Sequence, residues 1–293
     1  MSGSFHTRVV DRLGQVPQAI AILGKWEPFL RADRCLEEVA ARGAGALALI
    51  EALQAPTPGP YLLSAEAHLR GQPRPGCLMA AEMLVQLGAR RDRIRCCPAS
   101  NQTTVEIRVL DRMRRQLGAR PLLMLTAHYH VARTQRLLDG EDRGRVKGMQ
   151  VLAMDDPLIL EALQRLAPAR REQLWQVIAR GQRRATGFAP VAINEAVARL
   201  GTLTPGIQRR VANLIRGPAR QSVPMYRIVS SGGGIYLRVA EDPQPQQREG
   251  HGEPHHGHAH RVEQPPVEPG GQAQPPPHGG GEGHRDQGRD GVT

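Results

Sequence analysis

Aromatic residues are scarce in this sequence, at only 3% of 293 residues. The few that occur are not interleaved with the basic residues, which are scattered over several predicted helices. Proteins that bind single-stranded nucleic acid without sequence preference stack the bases on aromatic side chains inside a basic groove. The composition therefore argues against a stacking platform for single strands.

Long hydrophobic runs are also missing. No stretch of 18 consecutive apolar residues occurs, and about that length is needed for a transmembrane helix. The first residues, "MSGSFHTRVVDRLGQV", lack the apolar core of a signal peptide. The four cysteines, Cys35, Cys77, Cys96 and Cys97, do not have metal-ligand spacing. We therefore expect reduced thiols, no membrane segment and a cytoplasmic location.

Lysine is nearly absent, since Lys25 and Lys147 are the only two, yet the net charge is +11. Residues 241–293 contain 4 basic and 9 acidic residues, which leaves 35 basic and 19 acidic residues in 1–240, a net charge of +16. Such an arginine-rich body is typical of proteins that bind nucleic acid, anionic lipid or phosphate-bearing ligands. Codon usage rich in G and C produces the same composition without any function, so both interpretations stay open.

Residues 241–293 contain nine prolines, eleven glycines and only five hydrophobic residues. A segment of this composition cannot bury enough apolar surface to offset its chain entropy, so we predict a disordered tail. Five histidines lie close together in it, at His251, His255, His256, His258 and His260. Neutral imidazoles in a flexible chain bind nickel, zinc or copper weakly. The alternative is a low-complexity tail whose metal affinity is incidental.

Apolar runs and helical periodicity alternate through the first half of the chain. Strands are predicted at "QAIAIL", "YLLS", "RIRCC", "PLLMLT" and "MQVLAM". Between them, helices are predicted from Arg34 to about Leu53 with a break at "RGAGA", over "CLMAAEMLVQLGA", from about Thr104 to Leu117, and from about His130 to Leu138. This alternation favours an α/β fold, namely a Rossmann-like doubly wound parallel sheet.

A different pattern follows residue 156. Four short helices are predicted, at "PLILEALQRLA", "ARREQLWQVIARGQRR", "VAINEAVARLG" and "GIQRRVANLIRG", and then a β-hairpin at "VPMYRIVSSGGGIYLRVA". We therefore divide the chain into a Rossmann-like domain over 1–156, a helical region with a terminal hairpin over 157–240, and the tail over 241–293.

Two segments carry polar residues where a predicted strand meets a predicted helix. In "SNQTTVEI", Thr103 and Glu106 have the spacing of a capping box, and the helix start also exposes amides suited to an anion. In "LLMLTAHYHVARTQRLL", Thr126 ends the strand and His128 lies two residues on, so that the two share a face if the chain stays extended. His130 and Arg133 have i, i+3 spacing. Because ligands bind at the carboxyl ends of parallel strands, these segments are candidate parts of one pocket.

Five landmarks in order resemble one known family. They are "AIAILGK", Arg34, "AAEMLVQLGARRDRI", "SNQTTVEI" and the Thr126, His130, Arg133 pattern. Together they resemble the YdcF/SanA/ElyC-like family, a domain of unknown function, over about half of the chain from Ala19 to Met154. The family has a Ser-Gly-Gly turn after its second strand, whereas this chain has "LLSAEAH", which retains Ser64 without the glycines.

The resemblance implies a Rossmann-like domain with a polar pocket at the carboxyl ends of its strands. Some cytoplasmic members are associated with binding S-adenosylmethionine and have a helical C-terminal portion. Membrane-anchored members carry an N-terminal membrane segment, for which no candidate is visible here. By position, the pocket residues would be Gly24, Arg34, Glu82, Asn101, Thr104, Glu106, Thr126, His130 and Arg133.

These observations lead to three functional hypotheses. The first is a small-molecule-binding protein, with a nucleotide-like or S-adenosylmethionine-like ligand, that is an enzyme of unknown reaction. Glu106 and His130 are then the catalytic candidates, and the ligand-binding candidates are Gly24, Arg34, Ser64, Glu82, Asn101, Thr103, Thr104, Thr126, His128 and Arg133. The second is a metabolite sensor without catalysis. The third is a nucleic-acid-associated protein that acts through its basic body.

Overall fold

The computed structural model describes residues 4–25, 32–54, 59–69, 72–141, 148–185, 210, 213, 223–231 and 234–240. Its helices are α1 (Phe5–Leu13), α2 (Ala32–Ala52), α3 (Gly76–Gln86), α4 (Thr103–Gln116), α5 (His128–Glu141), α6 (Pro157–Gln164) and α7 (Pro168–Ala185). Its strands are β1 (Ala19–Ile22), β2 (Tyr61–Glu66), β3 (Ile94–Ser100), β4 (Leu122–Thr126), β5 (Met149–Ala153), β6 (Tyr226–Ser231) and β7 (Gly234–Val239). A single 3-10 turn, Arg91–Arg93, precedes β3.

The apolar runs pair into one seven-stranded sheet in the order β5-β4-β1-β2-β3-β6-β7. The first five strands are parallel, and Ala19 of β1 is the register partner of Tyr61 on one side and of Leu122 on the other. This confirms the predicted doubly wound, Rossmann-like sheet. The chain leaves β1 toward β2 and later returns to its other side as β4, so the topological switch point, where ligands bind in such sheets, lies between β1 and β4.

Alternate side chains of each strand bury on opposite faces of the sheet, as expected for parallel strands covered on both sides. Ile20 and Ile22 pack with α2, α3, α6 and α7, whereas Ala19 and Ala21 pack with α4 and α5. Leu174 of α7 belongs to the same hydrophobic core as Ile20. The predicted helices α6 and α7 therefore share a core with the strands rather than forming one of their own.

The C-terminal hairpin is present as predicted, but it extends the sheet. Strand β6 pairs antiparallel with β3, and β7 pairs antiparallel with β6. The other two predicted helices, at 191–201 and 206–217, lie outside the described residues apart from residues 210 and 213, which are helical. The predicted tail also lies outside the described residues.

The predicted break in α2 at "RGAGA" is wrong, because the helix runs without interruption from residue 32 to residue 52. Its glycines serve close packing. A methyl group at Gly43 would lie 2.9 Å from Leu84 Cδ2, and one at Gly45 would lie 3.3 Å from the Met154 carbonyl oxygen. Glycine lowers the intrinsic helix propensity, but the close tertiary packing that Gly43 and Gly45 allow outweighs this loss.

Helix α1 was not predicted. It begins after Ser4, whose side chain accepts a hydrogen bond from the Thr7 amide, and it buries Phe5, Val9 and Leu13 at i, i+4 and i+8. Helix α5 begins at His128, two residues earlier than predicted. None of the described helices combines the length and the hydrophobicity that a bilayer crossing requires.

Candidate functional site

The loop after β1 is held by a carboxylate from α4. The Gly24 amide donates a 2.8 Å hydrogen bond to Glu106 Oε1, and Glu106 is buried. The predicted capping box is wrong: α4 begins at Thr103, and its cap residue is Gln102, whose side chain makes no capping bond. The Glu106 carboxylate reaches across to β1, so its spacing from Thr103 reflects a tertiary contact rather than a local one.

A second buried carboxylate closes the same loop from the neighbouring strand. Glu66 is the last residue of β2, and a methyl group at Gly24 would lie 2.7 Å from its Cδ atom. A methyl group at Gly76, the first residue of α3, would overlap the same carboxylate. Glycine is therefore required at both positions for Glu66 to occupy this place. No sequence pattern singles out Glu66.

A buried network of charged and polar groups lies on the other side of the loop. Lys25 Nζ donates to the Tyr129 hydroxyl at 2.6 Å, and this hydroxyl donates to Glu38 Oε2 at 2.9 Å. Arg42, fully buried, donates to the same Glu38 oxygen at 3.1 Å and to the backbone carbonyls of residues 23 and 24 at 2.5 and 3.1 Å. The network joins β1, α2 and α5 at the switch point.

The predicted residues of α5 form the outer part of this region. His128 is exposed, whereas His130 and Arg133 are half-buried. The His130 ring lies against the Tyr129 ring with 4.2 Å between centroids. Thr126, at the end of β4, is buried. Thr126 and His128 therefore do not share a face, because the chain turns into α5 between them.

At the start of α4, Thr103 and Thr104 are half-buried, and the helix N-terminus points to the same edge of the sheet as the loop after β1. Asn101, just before the helix, is buried and donates from Nδ2 to Asn213 Oδ1 at 2.9 Å. Thr103, Thr104 and Asn101 therefore lie at the same edge of the sheet as Glu106, but the side chain of Asn101 is bound to that of Asn213.

Other predicted residues lie away from the loop or outside the description. Ser64 is buried in the middle of β2, with Cys96 as its register partner on β3. Glu82 lies on α3 and receives a bidentate pair of hydrogen bonds from Arg74, one of them at 2.7 Å. The backbone of Arg34 is in α2, and its side chain is outside the described residues, as are the five tail histidines.

Neither a thiol nucleophile nor a metal cluster is built at this edge in the part of the chain that the structure describes. Cys77 follows Gly76 and is fully buried; burial raises the pKa of its thiol, and Cys96 and Glu66 act in the same direction. A protonated, buried thiol is a poor nucleophile. Among the described residues, no group of three histidine, cysteine or carboxylate side chains is arranged to hold a metal ion.

Comparisons with family models, with curated proteins and with solved structures find no match to this chain. The chemistry must therefore be inferred from the residues themselves. Three buried carboxylates, Glu38, Glu66 and Glu106, converge on the loop after β1, where one of them uses the Gly24 amide and another contacts the glycine itself. The arrangement can accept hydrogen bonds from hydroxyl and amino groups.

Proposed function

We propose that the protein binds a nucleotide-like metabolite of the S-adenosylmethionine type at the carboxyl ends of β1, β2 and β4. The observation that carries the proposal is the loop after β1, which lies beside the topological switch point and is surrounded by Glu38, Glu66 and Glu106. In doubly wound sheets, ligands bind in the crevice at this point.

The polarity of the loop favours a nucleoside without a phosphate. Rossmann-type dinucleotide sites bind pyrophosphate through the backbone amides that follow the first strand. Here the Gly24 amide already donates to Glu106, and the carboxylate of Glu66 lies against the same glycine. In the described part of this loop, a phosphate would therefore meet the Glu66 and Glu106 carboxylates and a Gly24 amide that is already engaged.

The same carboxylates, as hydrogen-bond acceptors, suit a nucleoside that carries hydroxyl and cationic groups. An acidic residue that follows the glycine-bearing loop commonly accepts hydrogen bonds from ribose hydroxyls, and Glu66, at the end of β2, would take that role here. Arg133 and the first-turn amides of α4 would receive the ligand's carboxylate. S-adenosylmethionine, when bound, supplies an activated methyl group.

The resemblance to the YdcF/SanA/ElyC-like family supports this ligand class, because some cytoplasmic members are associated with S-adenosylmethionine. The landmarks at Gly24, Glu106, Thr126, His130 and Arg133 all lie in the segments that meet at this edge. Glu106 supports the loop through its hydrogen bond to Gly24, so we assign it a positioning role. Proton transfer is left to His130, which is half-buried on α5.

Isothermal titration of the full chain with S-adenosylmethionine tests the proposal. We expect saturable 1:1 binding that adenosine monophosphate does not displace, and a loss of about tenfold in affinity in Glu66→Gln, since a hydrogen bond to a charged group contributes about 1.5–3 kcal/mol. Glu172→Gln, on the exposed side of α7, is the matched control. Absence of binding, displacement by the monophosphate, or equal losses in the two variants would overturn it.

A His130→Ala variant separates the enzyme from the sensor. If the protein catalyses a transfer from the bound ligand, the variant keeps its affinity while product formation, followed by mass spectrometry with a mixture of acceptor metabolites, stops. If the protein is a sensor, the wild type forms no product and ligand binding still raises its melting temperature, because a ligand specific for the native state stabilises it.

A further inference from the structure

A second candidate site lies on the arm of the sheet away from β1. Arg95 of β3 is the register partner of Arg227 on β6, and Arg227 is the partner of Arg238 on β7. Directly opposed residues of antiparallel strands point to the same face and lie about 5 Å apart. Three guanidinium side chains therefore stand in one row across three strands, which we call the arginine row.

Like charges placed opposite each other destabilise a sheet unless a counter-charge is near. Burial lowers the pKa of Arg95; the charges of Arg93 and Arg227 act in the same direction, and Tyr61 and Asp92 act in the opposite one. Arg93 lies close by, with its guanidinium 3.7 Å from the centroid of the Tyr61 ring. The positive charge at this place is thus unfavourable for the unliganded protein.

The arginine row borders a cavity of about 430 Å³, lined by Arg91, Asp92, Arg95, Arg227, Ile228 and Val229. This volume is in the range of small-molecule sites. Among the described residues of the lining, Asp92 is the one carboxylate, and its hydrogen bonds come from Arg90, outside the row, from Nε at 3.1 Å and from Nη2 at 2.8 Å. The cavity therefore has a surplus of positive charge.

The donors of the row are partly uncommitted. Arg95 Nη1 donates to the backbone carbonyls of residues 92 and 94 at 2.8 and 3.0 Å, which fixes the direction of its guanidinium. Arg227 Nε is buried and has no hydrogen-bond partner within the described part of the chain. Two adjacent guanidinium groups, one of them held in place, can offer charge-assisted hydrogen bonds to a phosphoryl group.

We propose that this cavity binds a phosphate-bearing anion, with Arg95 and Arg227 as its principal ligands. The site is separate from the one proposed at the loop after β1: Arg95 is the second residue of β3, near its amino end, whereas Glu66 and Gly24 lie at carboxyl ends. A small phosphorylated metabolite and the backbone of a nucleic acid share this chemistry, and the experiment distinguishes them.

Titration of the full chain at low ionic strength with inorganic pyrophosphate, and separately with a single-stranded oligonucleotide of mixed sequence, tests the proposal. Arg227→Gln should lose about tenfold or more in affinity, because a charge-assisted bidentate contact is removed. Arg171→Gln, an exposed arginine of α7, changes the net charge equally and should retain affinity within about twofold. Arg95→Gln provides an independent variant of the same site.

The melting temperature of the unliganded variant is a second measurement. Arg227→Gln should melt no lower than wild type, since it relieves repulsion in the row, whereas a purely structural arginine would lower it. Binding of pyrophosphate assigns the site to small ligands, and binding of the oligonucleotide alone assigns it to nucleic acid. Failure of both probes to bind, or equal losses in Arg227→Gln and Arg171→Gln, would show that the arginines are compositional and would overturn the proposal.

Discussion

Replacing Arg42 tests whether the loop after β1 is held by the buried network. Arg42 is fully buried and donates to Glu38 and to the carbonyls of residues 23 and 24. In Arg42→Met, the aliphatic stem is retained while all three hydrogen bonds are lost. Glu38 then keeps Lys25, at 3.8 Å, and the Tyr129 hydroxyl, but loses its guanidinium partner.

The expected loss in the free energy of unfolding is about 3–5 kcal/mol, the usual result of removing one member of a buried ion pair. The separate contributions of the three Arg42 hydrogen bonds would sum to a larger loss. Because Lys25 remains near Glu38 and water can reach a partly opened loop, we expect the loss of a single buried ion pair. Because domains are stable by only about 5–15 kcal/mol, the change is a large fraction of the total.

Urea denaturation followed by far-ultraviolet circular dichroism measures this loss. Arg136→Met, on the exposed surface of α5, is the control and should keep the wild-type midpoint. If Arg42→Met does not fold, Arg42→Lys replaces it in the measurement. One ammonium cannot make all the hydrogen bonds of the planar guanidinium, so the loss in the free energy of unfolding should be intermediate.

A double variant checks the origin of the effect. In Arg42→Met combined with Glu38→Gln, the buried charge that the first change leaves behind is removed. The combined loss should therefore be smaller than the sum of the single losses by about 0.5–3 kcal/mol. A loss below about 1 kcal/mol in Arg42→Met, or strict additivity in the double variant, would refute the view that a buried ion pair organises the loop.

Three further expectations follow from the structure. Ser4→Ala removes the cap of α1 and should cost about 0.5–2 kcal/mol in urea denaturation, with Ser4→Gly costing less. Burial raises the pKa of the Cys77 and Cys97 thiols, so alkylation mapped by mass spectrometry at pH 8 should reach them only after unfolding; rapid labelling of the native protein would contradict their burial. The hydrogen bond from Arg8 lowers the pKa of Glu161, so this ion pair stabilises the fold above the unfolded pKa of about 4.3, and the stabilisation is lost as the pH falls through the folded pKa. The difference in melting temperature between wild type and Glu161→Gln should therefore shrink with acid. A difference that stays constant with pH would contradict this expectation.

Strands β1, β2, β4 and β5 could be predicted because each is a short apolar run next to a glycine, a proline or a helical pattern. Residues 19–22 and 122–126 are buried along their whole length, which leaves the continuous apolar signature of a parallel strand. The hairpin was recognised from its alternation around glycines. Its place beside β3 was not, because the partner of a strand depends on contacts more than a hundred residues away.

The glycines of α2 show why local propensity misled the prediction. In a sequence, "RGAGA" has the same appearance whether it ends a helix or lets another element approach closely. Gly43 and Gly45 are on the faces that meet Leu84 and Met154, which only the tertiary structure reveals. Conversely, α1 is not predicted, although Phe5, Val9 and Leu13 follow the helical period. The same first residues are also the ones in which a signal peptide would be sought.

At the centre of the candidate site, Gly24 and Glu106 are predicted residues, whereas Glu38, Glu66 and Arg42 are not. Histidine and threonine at strand ends are conspicuous, and they led to α4 and α5. Glu38 and Arg42, by contrast, have the i, i+4 spacing that usually marks a solvated helix face, yet they point inward. Lys25 and Tyr129 are 104 positions apart. No periodicity signals a buried pair of this kind, because its partners come from separate elements.

The two proposed sites differ in their charged groups because opposite ends of the strands supply them. At the carboxyl ends, the loop after β1 is enclosed by carboxylates that occupy the Gly24 amide and the space beside it. Near the amino end of β3, Arg95 and Arg227 face each other across a strand pair, and Asp92, the carboxylate among the described residues that line their cavity, accepts hydrogen bonds from Arg90. Since the Gly24 amide is already engaged at the first place and Arg95 stands beside Arg227 at the second, a phosphate should prefer the second place.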